Sequence, residues 1–144
     1  MVCQFAVIHD LVELYAGDTN VYGPEEHHET KEEREHEALH KLSKEFSHLP
    51  WLTDMLTKYE AQDTPEALYV RSIDKFVALV FDYVDEGQYY REHKLTRERF
   101  LKDIQRPRKK AMGHPGAFEY HEEAMRKILS RTGFFHEDDE KTTK

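Results

Sequence analysis

Cysteine is nearly missing from this chain: Cys3 stands alone among 144 residues. One thiol rules out an intrachain disulfide and a thiolate metal cluster, and it suits a reducing compartment. No apolar run approaches membrane-spanning length, and MVCQFAVI has no basic n-region, so neither a membrane span nor a secretory leader is expected. Positive charge is also short. The formal net charge of −8 argues against nonspecific binding of a nucleic-acid polymer, whose affinity comes from neutralised phosphates. A small phosphate ester held by a metal remains allowed. No internal repeat, interdomain linker or useful period-2 alternation is visible, which leaves no basis for a sheet.

What is present is enough apolar material for one core: 38% hydrophobic and 12% aromatic residues over 144 positions. The pattern is helical almost throughout. Val2, Phe5, Ala6, Ile8, Leu11, Val12 and Leu14 fit one mostly buried helix that Gly17 stops. DTNVYGPEE reads as a loop. From Glu25 a charged helix carries Ala38, Leu39, Leu42 and Phe46 on one side, and SHLP breaks it before an amphipathic helix with Trp51, Leu52, Met55, Leu56 and Tyr59. Thr64 and Pro65 form an N-cap and first helical position for a long apolar helix from Ala67 to about Val84. Thr96 opens a helix that Pro107 is expected to bend, and GHPG precedes a last helix over Phe118 to Leu129. The fold class is all-α, one domain over 1–136, with a polar tail over 137–144 expected to be disordered.

The stretch AVIHDLVELYAGDT ends an apolar segment on ionisable groups. On a helix, His9 and Glu13 are spaced i,i+4 and Asp10 and Glu13 i,i+3, so the three crowd onto one face, with Asp18 just past the stop. Imidazole beside carboxylate suits a divalent cation, and a further carboxylate can orient water. By spacing alone, two readings stand: a helix end reaching solvent, or the wall of a polar site.

IHDLVELYAGDT together with YEAQDTPEALYVRSIDKF, and more loosely FDYVDEG, resembles the HD-domain metal-dependent phosphohydrolases. The likeness is to the branch of 5'-deoxynucleotidases and HD-domain-containing-protein-2-like proteins, and it covers nearly the whole chain. The spacing HDxxExxxxD fits that branch; the HDxxED of alarmone hydrolases is not found. The resemblance implies an HD-domain helical bundle with His9, Asp10 and Asp74 as metal ligands. It implies Asp10, Glu13 and Asp18 near the attacking water, and Asp18, Thr19 and Asn20 near the nucleotide. The cofactor would be a divalent cation, Mg, Mn or Co, and the substrate a nucleoside 5'-monophosphate cleaved by a metal-activated water. Asp74 also stands out on its own pattern: flanked by Val70, Ile73, Val77 and Leu79, an ionised carboxylate needs a cation, or a salt bridge to Arg71 or Lys75.

The family's upstream helix, with a further metal-binding histidine and a phosphate-holding arginine, has no counterpart before His9. The expectation is therefore an N-terminally truncated HD domain in the cytoplasm. The alternative is a catalytically inactive helical interaction or binding domain. Family members often form homodimers, and the aromatic residues permit one here. His27, His28, His36 and His40 read as a solvated face, and His48, His93, His114, His121 and His136 as scattered. RPRKK reads as a solvated helix or turn; Trp51, Tyr59, Tyr89 and Tyr90 read as core and interface aromatics.

Overall fold

A computed structural model describes residues 1–137, so of the tail expected over 137–144 all but Glu137 lies outside the described residues; Glu137 itself is exposed and outside any helix. Among the described residues there are ten helices and no strand, the all-α class expected. No described helix is long and apolar enough to cross a membrane. Contacts divide the chain into two units, Met1–Val70 and a second starting at Arg71.

The first unit holds α1 (Val2–Ile8), α2 (Glu13–Ala16), α3 (Glu25–Glu29), α4 (Lys31–Glu45), α5 (Pro50–Ala61) and the start of α6 (Pro65–Val84). α1 packs on α5, α2 on α4, and α4 on α5. Phe5, Ile8, Val12, Ala38, Leu42, Leu56 and Tyr59 form the centre of its core. Each large apolar side chain so buried contributes about 1.5–3 kcal/mol.

The first helix differs from expectation. It stops at Ile8, and residues 9–12 form a turn before α2. The dihedrals stay right-handed (His9 φ −57°, ψ −31°), but the amides tighten to i−3 bonds: Leu11 to Ile8 at 3.0 Å, Glu13 to Asp10 at 2.9 Å, Leu14 to Leu11 at 3.2 Å. Such 3₁₀ winding inside a helical stretch turns the following residues relative to an α-helix. The charged helix is likewise two, parted at Thr30, and Trp51, read as a core or interface aromatic, is 58% exposed.

The second unit carries the rest of α6, then α7 (Gln88–Glu92), α8 (Arg97–Asp103), α9 (Gln105–Ala111) and α10 (Pro115–Ser130). The caps are those expected: Thr64 Oγ1 accepts from Ala67 N at 3.3 Å at the head of α6, and Thr96 Oγ1 from Arg99 N at 3.3 Å at the head of α8. α10 starts three residues earlier than expected, because His114 Nδ1 accepts from Ala117 N and Pro115 takes the first helical position. Pro107 sits in the first turn of α9, where it needs no amide partner, and the chain divides at Ile104 instead. Buried Tyr90 and Phe100 pack with Phe135, ring centroids 5.3–5.4 Å apart.

Candidate functional site

His9 opens the tightened turn, and its ring is fixed twice. Nδ1 lies 2.8 Å from Ala6 O; a carbonyl only accepts, so Nδ1 carries the proton and donates. The ring edge rests on buried Tyr59, centroids 6.3 Å apart at 76°. Nε2 therefore faces outward, 3.2 Å from Asp10 Oδ1. In the neutral imidazole, Nε2 is then the nitrogen with a lone pair. A histidine whose distal N–H is tied to a backbone carbonyl is oriented as metal-ligating histidines are. Asp10 is 63% exposed and His9 23%.

Glu13, one short turn on, is 30% exposed and 3.9 Å from Lys31 Nζ, which also pairs with Glu35 at 2.9 Å. Gly17 (φ 75°) ends α2, and Asp18 beyond it is exposed. Thr19 is buried, and its Oγ1 accepts from Arg34 Nη2 at 2.8 Å. Its own hydroxyl proton is what it has left to offer a ligand. Asn20 is exposed and closes a turn, its Oδ1 accepting from Tyr22 N at 2.9 Å.

Asp74 lies in the second unit, on α6. It was expected among apolar neighbours, but it is 30% exposed, and Lys75 Nζ stands 2.6 Å from its Oδ2. Its flanking Val77 is exposed as well. The adjacent lysine supplies the positive partner that a partly buried carboxylate needs. Among the described residues, no group of three or more His, Cys, Asp or Glu side chains is arranged to hold a metal ion. His9 and Asp10 offer one nitrogen and one oxygen donor, the chemistry that suits a borderline or hard divalent cation, so the pair fits as part of such a site.

Sequence reasoning passed over Arg34 and Lys31. Both lie on the stripe Lys31, Arg34, Glu35, Ala38, Leu42, whose last two members are buried. A cation on the core-facing stripe of an otherwise amphipathic helix is the signal that would have found them.

The HD domain model matches residues 1–114. This chain belongs to the HD-domain family. No curated protein matches it. In structure it is similar to a predicted metal-dependent phosphohydrolase from Magnetospirillum magnetotacticum MS-1, with a TM-score of 0.62 and 24% identity, over 94% of this chain and 68% of that one. The HD match starts before the His9–Asp10 pair and runs past Asp74.

Proposed function

We propose that this HD domain hydrolyses phosphate monoesters with the help of a divalent cation, and that its substrates are nucleoside 5'-monophosphates. The observation that carries the reading is the His9–Asp10 pair, with the imidazole tied back through Nδ1 and Nε2 turned to the Asp10 carboxylate. Family membership and the likeness to a predicted metal-dependent phosphohydrolase support it. A cation held by His9 and Asp10 would supply charge for a phosphoryl oxygen and acidity for a water.

The chain's own residues do the rest. Asp10, well exposed, can accept the proton of the attacking water, and Glu13 lies in the same turn to assist. Asp18 and Asn20 are exposed beside Thr19, and in this reading they meet the hydroxyls of a sugar by hydrogen bonding. The acidic net charge favours a small, metal-neutralised phosphate over a polymer.

The test is phosphate release from deoxynucleoside and ribonucleoside monophosphates with Mg, Mn or Co, beside Mn²⁺ titration followed by paramagnetic broadening. Asp10→Asn should lower kcat/KM by about 10²–10⁴-fold. His9→Ala should weaken Mn²⁺ binding. Asp74→Asn tests the third ligand that the family resemblance implies: unchanged Mn²⁺ affinity removes it from the set. No release by the wild-type chain with any of the three cations overturns the enzyme reading. Binding without release would favour the second reading, a non-catalytic HD domain.

A further inference from the structure

We propose that Arg34 is the positioning residue of this site: from α4 it fixes the segment Gly17–Thr19, and with it the exposed carboxylate of Asp18. The inference rests on the phosphohydrolase reading for its catalytic consequence and on the geometry alone for its structural one.

A short helix such as α2 leaves its last carbonyls without intrahelical donors. Arg34 supplies them. Its Nη1 donates to Ala16 O and, at 3.4 Å, to Gly17 O. Its Nη2 donates to Thr19 Oγ1 at 2.8 Å and to His27 O at 2.9 Å. Its Nε reaches Thr30 Oγ1 at 3.4 Å. One planar guanidinium thus joins the end of α2, the loop after it, the carbonyl of His27 in α3 and its own helix.

Gly17, at φ 75° and ψ 146°, turns the chain out of the helix, so without this clamp the loop would have the freest backbone of the segment as its hinge. Asp18 lies between two held neighbours, Gly17 through its carbonyl and Thr19 through its hydroxyl. Lys31, one turn earlier on α4, faces Glu13. Lys31 and Arg34 therefore address the first two acids that follow the His9–Asp10 turn, Lys31 through a side chain and Arg34 through the backbone. Lysine could not replace Arg34: a single ammonium lacks the fixed fork that reaches five acceptors.

The experiment compares the full chain with Arg34→Lys, Arg34→Ala and Thr19→Val. Amide exchange is read at residues 17–20, with α5 as internal reference. Losing hydrogen bonds to a charged group should speed exchange at 17–20 by about tenfold or more in Arg34→Lys. Phosphate release should fall by about 10–100-fold in kcat/KM, while Mn²⁺ affinity at His9–Asp10 stays within about twofold of wild type. A merely structural residue would move stability, not this split, and added guanidinium should restore part of the activity of Arg34→Ala. Should the arginine variants fail to fold, Thr19→Val removes one of the acceptors of Arg34 and should show the same direction in amide exchange, the readout that its own place near the substrate does not confound.

Unchanged exchange at 17–20 overturns the clamp. Faster exchange with wild-type kcat/KM overturns the positioning role. A wild-type chain without activity overturns the phosphohydrolase reading and the role in catalysis with it, and the exchange rates still decide whether Arg34 holds the loop.

Discussion

Asp82→Asn should stabilise the protein at neutral pH and leave it nearly unchanged in acid. Asp82 sits two turns after Asp74 on α6, and it accepts from the hydroxyl of fully buried Tyr90 at 2.6 Å. Burial is the main reason its carboxyl is raised from the usual 3.8 to about 6; the Tyr90 hydrogen bond opposes the rise and Asp85 adds to it. The protonated form is thus the one the fold prefers. Its advantage is complete below the unfolded value of 3.8 and is lost as pH climbs through about 6. At about 1.4 kcal/mol per pH unit, the gap between those values corresponds to about 3 kcal/mol of penalty on the ionised form above pH 7. Asparagine carries no charge and can still accept from Tyr90. The stability difference between Asp82→Asn and wild type should therefore be near zero below pH 4 and reach about 2–3 kcal/mol by pH 7. Between them it should rise by about 1 kcal/mol per pH unit. Urea unfolding followed by circular dichroism across this range measures it. The difference between the two proteins matters, because other titrating groups cancel in it. A flat difference from pH 4 to 8 would refute the claim that the Asp82 anion is desolvated. Tyr90→Phe, which removes the donor, should move the Asp82 titration further up.

Gly87 adopts φ 71°, and a Cβ there would lie 2.5 Å from Phe134 O, so Gly87→Ala should cost about 2–4 kcal/mol of stability, read as a lowered Tm; a loss under half a kilocalorie would show that the Phe134 segment yields freely. His121 is fully buried and neither ring nitrogen makes a hydrogen bond among the described residues, with Nδ1 a long 3.4 Å from Glu122. Burial pushes its imidazole below the ordinary 6.5. The neutral ring is the one the fold prefers, so this contribution is present above 6.5 and is lost as pH falls below it; an NMR titration midpoint at or above 6.5 would refute the argument.

Helix starts were the most legible feature, because caps are local chemistry. Thr64 with Pro65 and Thr96 each mark a start through a group that accepts a first-turn amide, and no distant residue has to agree, whereas GHPG reads only as a break and hides the His114 cap inside it. The apolar side of α4 was equally plain, since Ala38 and Leu42 repeat at helical spacing. The break at His9 was not. Phe5, Ile8 and Val12 are spaced by three and four, which serves a 3₁₀ turn as well as an α-helix, so the pattern cannot say where the amides change partner. Trp51 and Asp74 are less buried than their surroundings in the sequence suggest for the opposite reason: an aromatic or an apolar flank states a preference for burial, and whether it is met depends on elements that arrive later in the chain.

The candidate site divides along the same line. His9 and Asp10 stand out as candidates through their residue types and through the family resemblance that their motif carries. What orients them is the Ala6 carbonyl and the Tyr59 ring, and what holds the neighbouring acids is Lys31 and Arg34. A backbone carbonyl has no letter in a sequence, and an arginine that serves five acceptors is spelled like one that serves none. Residues proposed to touch a substrate or a cation are thus open to inspection in the sequence, whereas those that set their angle emerge only once the helices are placed. The correct test of such a site is consequently to leave the ligands intact and loosen what holds them: if Arg34→Lys lowers turnover while the His9–Asp10 pair still binds Mn²⁺ as before, the geometry around the pair, and not the pair alone, carries the activity.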